Sequence, residues 1–165
     1  MESKMRNDIL ALLEKNAKLT AEEIAVYLGA GKDDVEKEIN DLEKEQVICG
    51  YGAFVNWNRI DNSRITALIE VKVTPARGKG FNRIAERIYR FEEVKAVYLM
   101  SGAYDFVVII EGKSLEEIAT FVSDKLATLE SVLSTATHFV LRKFKDHGVI
   151  LDKGKGGSER MIVSP

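Results

Sequence analysis

Little in this sequence invites covalent or metal chemistry. Its 165 residues include one cysteine, Cys49, and two histidines, His138 and His147. A lone thiol excludes an intrachain disulfide framework, and so few histidines leave little from which to build a metal site. No Ser-His-Asp, Cys-His or paired-carboxylate arrangement has a context that suggests catalysis, so neither an enzyme nor a cofactor is expected. No apolar run approaches the roughly 18–20 residues that cross a bilayer, and Met1-Glu2-Ser3-Lys4-Met5-Arg6 leads into a mixed-charge helix rather than an apolar signal core. The expectation is a cytoplasmic chain with no membrane partner. An excess of one charge is also missing: 24 Lys and Arg stand against 26 Asp and Glu, a formal net charge of −2. That excludes a protein basic all over, though not a local basic patch.

What is present is ordinary globular material, 45% hydrophobic and 30% charged, enough for one domain or two small ones. In the first 50 residues the apolar positions recur every three or four. Ile9, Leu12, Leu13 and Leu19 form one set, Ile24, Tyr27 and Leu28 a second, and Val35, Ile39 and Leu42 a third, so three short amphipathic helices can share a core. Thr20 followed by Glu23 is a capping box, and Gly29 suits a left-handed C-cap, which makes the second helix about two turns long. A tight glycine-containing turn, Ala30-Gly31-Lys32-Asp33, then leads to a third helix from about Asp33 to Glu45, the helix-turn-helix arrangement. Val47 to Val55 is β-branched, aromatic and glycine-bearing and reads as an extended strand. Asn56 to Ser63 reads as a linker.

From residue 65 the period changes. Ile65–Val73, Val94–Met100, Asp105–Glu111 and Ser134–Phe144 read as strands, and Phe81–Phe91 and Leu115–Leu129 as helices. The order β-α-β-β-α-β is the ferredoxin-like plan, a four-stranded antiparallel sheet with both helices on one face. The fold class is therefore α+β. No further chain is available to cover the other sheet face, so self-association through it is expected. The tail carries Gly148, Gly154, Gly156 and Gly157 and reads as mobile, with the apolar end Met161-Ile162-Val163 docking on a neighbour.

A helix-turn-helix reads DNA with its second helix in the major groove while Lys and Arg hold phosphates. Here that helix carries two lysines, Lys37 and Lys44, against seven carboxylates, and residues 1–60 carry 8 basic against 12 acidic side chains. A small helical domain used for protein contacts is the competing reading. The loop Ser101-Gly102-Ala103-Tyr104-Asp105 either lets backbone approach a ligand beside an acidic group or is simply a hairpin turn. Arg83, Arg87 and Arg90 form a stripe that reads as a solvated face paired with Glu86, Glu92 and Glu93. Arg77-Gly78-Lys79-Gly80 reads as a connector, His138 as a packed or interface histidine, and Cys49 as inert.

The whole pattern resembles the Lrp/AsnC, or feast/famine, family of prokaryotic transcription regulators over about residues 5 to 150. In the first half the matching pieces are Asp8-Ile9-Leu10 with Leu12-Leu13, Leu19-Thr20 through Ile24-Ala25 to Leu28-Gly29, and Val35, Ile39, Leu42-Glu43 and Val47-Ile48-Cys49-Gly50-Tyr51. In the second half the family's Gly-x-x-Asp loop matches Gly102-Ala103-Tyr104-Asp105, followed by Phe106-Val107-Val108-Ile109-Ile110. The resemblance implies a DNA-binding domain at 1–50, a strand and linker at 51–63, a ferredoxin-like effector-binding and assembly domain at 64–150 and a tail at 151–165. It implies an amino-acid-responsive regulator that binds double-stranded DNA, forms homodimers and higher assemblies such as octamers, and takes an amino acid or related small molecule between dimers. Carried onto this sequence, the DNA-facing candidates are Lys32, Asp33, Asp34, Lys37, Glu38 and Lys44. The effector candidates are Ser101, Gly102, Ala103, Tyr104 and Asp105, with Thr135 and Thr137 on the last strand. An oligomeric ligand-binding protein of the same fold that has lost specific DNA binding is the alternative.

Overall fold

The structure, a computed structural model, describes residues 2–60, 64–74 and 80–151. The readings of 61–63 as linker, of Arg77-Gly78-Lys79 as connector and of 152–165 as a mobile tail with a docking end lie outside the described residues. The chain divides into two compact units, residues 1–54 and 55–165.

In the first unit, α1 (Glu2–Lys15), α2 (Ala21–Leu28) and α3 (Lys32–Lys44) pack around Ile9, Ile24, Val35 and Leu42, all fully buried. Leu19 sits beyond the end of α1 yet packs against the same core from the turn. The capping box forms: Glu23 N–H donates to Thr20 Oγ1 at 3.2 Å, and Thr20 N–H donates to Glu23 Oε2 at 2.8 Å. These bonds favour the ionised carboxylate and hold Glu23 below its ordinary 4.5. Gly29 closes α2 at φ +63°, in the left-handed region, and its N–H donates to Ala25 O. Three residues later α3 begins.

The stretch 47–55 departs from the expected strand. Val47 and Ile48 fold back, both N–H groups donating to Leu42 O at 2.9 and 3.1 Å, and Ile48 joins the helical core. Residues 49–56 have no regular structure. Tyr51 instead donates its hydroxyl to Glu43 Oε1 at 2.7 Å, and burial together with that carboxylate pushes its phenol up to about 12. A β-prone sequence becomes a strand only where another strand offers a ladder, and none among the described residues does so here.

The second unit runs from a single 3-10 turn (Trp57–Arg59) into β1 (Ile65–Val73), α4 (Gly80–Tyr89), β2 (Val94–Leu99), β3 (Phe106–Gly112), α5 (Leu115–Phe121, prolonged by a π turn over Val122–Leu126) and β4 (Val132–Phe139). The sheet order is β2-β3-β1-β4 with every pair antiparallel, the ferredoxin-like plan expected from the sequence. On one face Ala67, Ile69, Val71, Phe106, Val108 and Ile110 meet Ile84 and Ile88 of α4 and Ile118, Phe121 and Leu126 of the α5 segment. Their alternation with Leu68, Glu70 and Lys72 follows the period of two that a half-covered strand requires. The last strand stops at Phe139 rather than Phe144. After it, β5 (Lys145–Asp146) and β6 (Val149–Ile150) form a small hairpin turning through His147 and Gly148, both at positive φ.

Cross-strand partners share a face, so the register defines the open side of the sheet. One row runs Tyr98, Val107, Glu70, Ala136, and the next Ala96, Ile109, Leu68, His138. The middle of this face is apolar, with His138 Nε2 3.4 Å from Glu70 Oε1 beside it, and the rows Thr66–Glu111 and Lys72–Ser134 give it polar ends. Among the described residues no helix is long and apolar enough to cross a membrane.

Replacing Thr20 with Ala is expected to destabilise the first unit by about 1 kcal/mol in urea unfolding followed by helical circular dichroism. Glu23 is depressed in the folded state, so its ionised form stabilises that state above pH 4.5. That contribution is expected to fade as the pH falls below 4.5 in the parent protein and to be smaller, though still present, in the variant, which keeps the N–H of residue 20 that donates to Glu23.

Candidate nucleic-acid interface and ligand loop

The acidic charge of α3 is unevenly distributed around the helix. Val35 and Leu42 are buried against α1 and α2. Next to them Glu38 turns inward, its side chain only 12% exposed, and pairs with Arg6 Nη1 of α1 at 3.3 Å, while Arg6 Nη2 binds Glu45. Glu38 was a DNA-facing candidate; the structure gives it to the α1–α3 contact instead. Its Oε1 is buried with no hydrogen bond in line, so Arg6 is the charge that compensates it. Glu43 accepts from Tyr51, and Asp41 lies 3.5 Å from Lys44 Nζ.

Asp33, Lys37, Asn40 and Lys44 recur at intervals of four, three and four, which places them on one exposed stripe. Lys32, Asp33, Asp34, Lys37 and Lys44 are thus exposed as expected. Asn40 belongs with them although it was not among the candidates. Its signal was the spacing from Lys37, and side-chain amides are suited to reading adenine edges. Asp33 and Asp34 occupy the first turn of α3, where carboxylates favour the positive end of the helix dipole. Part of the acidity therefore serves the helix itself.

The loop Ser101–Asp105 makes the β2–β3 hairpin turn. Gly102 has φ +140°, which an L side chain would enter only with strain, and Met100 N–H donates to Asp105 O at 2.8 Å. Asp105 clamps the turn to the neighbouring strand: its N–H donates to Val71 O at 3.0 Å, and its Oδ2 accepts from Val73 N–H at 2.8 Å. The Val73 amide needs this carboxylate because β3 has ended at Phe106, opposite Val71, and the β4 ladder shifts register between Lys72 and Val73. Ser101, Gly102 and Ala103 are exposed, and Tyr104 half-buried.

Thr135 pairs with Val71 from the other side, so β1 alone separates it from the Asp105 clamp; Thr137 pairs with Ile69, further from the loop. Both threonines lie half-buried on the helix side of the sheet. The fold therefore brings Ser101–Asp105 together, sets Thr135 one strand beyond and leaves Thr137 more distant.

Of the remaining side chains, Arg90 pairs with Glu86, whereas Arg83 and Arg87 have no ion pair among the described residues. Glu93 pairs with Lys125 rather than with the arginine stripe, and the hydrogen bond from Lys125 lowers its carboxyl below the ordinary 4.5. Cys49 is exposed, its thiol donating to Gln46 O at 3.1 Å.

Residues 66–150 match the family described as the Lrp/AsnC ligand binding domain. Over 159 residues the chain is 49% identical to the HTH-type transcriptional regulator YugG of Bacillus subtilis (strain 168), covering 96% of this chain and 95% of that one. Among solved structures, the leucine response regulatory protein LrpA of Mycobacterium tuberculosis aligns with a TM-score of 0.74 at 19% identity, over 90% of this chain and 98% of that one. The transcriptional regulator NMB0573 of Neisseria meningitidis, solved as an L-Met complex, aligns with a TM-score of 0.70 at 22% identity, over 87% and 92%. These likenesses establish the helix-turn-helix plus ferredoxin-like fold.

Two substitutions separate the clamp from any ligand role of Asp105. Asp105→Ala is expected to lower the stability of the second unit by about 1–2 kcal/mol, because it strips the Val73 amide of its acceptor. Asp105→Asn keeps an acceptor oxygen and is expected to stay within about 0.5 kcal/mol of the parent in the same denaturant titration. Equal losses in both variants would show that charge, not hydrogen bonding, holds the turn.

Proposed function

The chain belongs to the Lrp/AsnC family of HTH-type transcription regulators, and from that membership we propose that residues 1–50 bind double-stranded DNA while residues 64–150 bind an amino acid or related small molecule and join copies together. It is a regulator and not an enzyme. The observation that carries the DNA-binding half is the exposed stripe of α3: Lys37, Asn40 and Lys44 face outward while Arg6 and Tyr51 hold back Glu38, Glu45 and Glu43. Lys32, Lys37 and Lys44 would meet phosphates, and Asn40 would meet a base edge. Asp33 and Asp34 sit where a carboxylate can only accept from a base amino group, which disfavours tight binding by one unit alone.

The effector half of the proposal rests on the Ser101–Asp105 turn. Exposed backbone at Gly102 admits a ligand closely, and Asp105 supplies a charge for an ammonium group; its second oxygen, Oδ1, is not the one used in the clamp. The NMB0573 structure was solved with L-Met, which supports this ligand class without placing it here. Thr135 is the outlying member of the set. The open sheet face is the surface we assign to self-association, because Tyr98, Ala96, Leu68, Ile109 and Ala136 form an apolar field that a second copy would remove from water. An effector would then act by favouring one assembly over another.

The alternative, an assembly that binds ligand but not specific DNA, draws on Asp33, Asp34 and Glu36. Salt-titrated fluorescence anisotropy with the protein's own upstream region separates the two. Binding is expected at low salt and is expected to weaken steeply as salt rises; Lys37→Ala and Lys44→Ala are each expected to reduce the slope of log K against log salt by about one. Failure to bind at low salt would favour the alternative.

The effector is sought by thermal shift across the amino acids. A cognate ligand at a hundredfold excess over its Kd is expected to add roughly 2.7 kcal/mol of stability. Asp105→Asn is expected to abolish that shift while leaving the unliganded midpoint in place. A shift that survives the substitution would remove Asp105 from the site.

A further inference from the structure

A cavity of about 620 Å³ lies within the second unit, away from the hairpin turn, between the segment that opens that unit and the chain beyond β4. Its volume falls in the range of small-molecule sites, and a nucleic-acid duplex is too broad to enter it. Asn56 Nδ2 donates to Leu151 O at 2.6 Å and ties the two walls together. Val55, Ile65, Val140 and Leu141 supply apolar lining.

The charged lining is unbalanced. Among the described lining residues Arg59, Arg64 and Lys143 contribute three positive charges against the two carboxylates of Glu111 and Asp146; Arg142 lines the cavity as well and has a partner of its own. Glu111 lies between Arg64 Nη1 at 3.8 Å and Lys143 Nζ at 3.6 Å, and Asp146 Oδ2 is 3.9 Å from Lys143 Nζ. Charge-assisted hydrogen bonds close to roughly 2.7–2.9 Å, so these pairs are attractions across a gap, and the donors of Arg64 and Lys143 are not consumed by them. Arg59 has no ion pair among the described residues. Arg64 is held in place by stacking, its Cζ 3.8 Å from the centroid of the Trp57 ring. A fixed guanidinium, a lysine bound only loosely, an Arg59 with no ion pair among the described residues and an aromatic-apolar wall together describe a receptor for an organic dianion.

We propose that this cavity binds a small organic molecule carrying two negative charges, with Arg59, Arg64 and Lys143 as its anion donors and Trp57 as its apolar wall. A phosphate ester and a dicarboxylate share that chemistry. Occupancy would fix the segment from Val55 to Arg59, the first residues after the helical unit, and so give the protein a second small-molecule input distinct from the Ser101–Asp105 turn. Glu111 acts as an internal competitor: the incoming anion takes over the cations that it now attracts.

Trp57 is the only tryptophan in the chain, so tryptophan fluorescence comes from the wall of this cavity with no contribution from elsewhere. The full-length protein is titrated with adenosine monophosphate as the phosphate ester and succinate as the dicarboxylate, with sodium chloride at matched ionic strength as control and calorimetry as a second readout. The expected result is a saturable change with one or both dianions and none with chloride; which of them saturates identifies the source. Arg59→Gln and Lys143→Gln, both away from the Trp57 stack, are each expected to weaken binding about tenfold, and Glu111→Gln to tighten it severalfold. The proposal is overturned if neither dianion gives saturable fluorescence or heat, if chloride reproduces the change, if both cation variants bind like the parent, or if only duplex DNA saturates the signal.

Discussion

Strand β1 is the constraint on which the rest of the second unit depends. It is hydrogen-bonded along both edges, to β3 and to β4, and Ala67, Ile69, Val71 and Val73 on its helix-facing side are buried. Slipping the register by one residue would turn those four outward and carry Glu70 and Lys72 beneath the helices, where uncompensated charges are strongly disfavoured. With register fixed this firmly, each end of the strand has a definite set of neighbours. At Val71–Val73 it meets the Asp105 clamp on one side and Thr135 on the other. At Arg64–Thr66 it meets Glu111 across β3 and the stacked Trp57. Seven residues of extended chain separate Thr66 from Val73, roughly 23 Å, so one rigid strand carries both proposed ligand regions without allowing them to merge.

In the first unit the corresponding constraint is electrostatic. Helix α3 with its C-cap Glu45 carries three lysines against seven carboxylates, and would repel a phosphate backbone if those charges were evenly spread. Arg6 breaks the symmetry by drawing Glu38 and Glu45 to the α1 side. The same ion pair that fastens α3 to α1 therefore clears part of the stripe on which Lys37, Asn40 and Lys44 lie. The pair is partly screened on the Arg6 side, while the buried Oε1 of Glu38 depends on Arg6 for compensation. The pair's other effect is on where the negative charge points.

The sequence made the βαββαβ order legible because burial on one face writes a period of two into strands and a period of 3.6 into helices. β1 was readable to its ends for that reason, with Ile65 and Val73 at its limits. β4 was not: an edge strand has one ladder partner, and Val140 to Phe144 remain β-prone after the partner runs out. The hairpin Lys145–Ile150 escaped notice because two-residue strands leave no periodic trace, and His147 at positive φ carries no glycine signal at that position. Val47–Val55 misled in the opposite direction, since strand propensity describes a surface that a neighbouring strand can accept, and the described chain offers none. In the candidate sites, the turn at Gly102 was readable from residue type alone. The inward rotation of Glu38 was not, because it depends on Arg6, thirty-two positions away. Asn40 was hidden by its chemistry: an uncharged residue does not appear in a count of charge.

These constraints bear on how such a protein can be switched. Three lysines per reading unit, Lys32, Lys37 and Lys44, can neutralise about three phosphates, and each contributes only about 0.9 to the salt slope of binding. One unit is then a weak binder by its own electrostatics. On the proposed assembly through the open sheet face, a second unit would engage at an effective concentration set by its tether, in the millimolar range for short linkers, and not at its concentration in bulk. Affinity would reside in the geometry that lets two units reach DNA together. A ligand need not touch α3 to control such a system; it needs only to bind one assembly more tightly than another, and the equilibrium can move by no more than that difference. The Asp105 turn and the Trp57 cavity both belong to the second unit and not to α3, and on the proposed assembly that unit is where a control of this kind has to act.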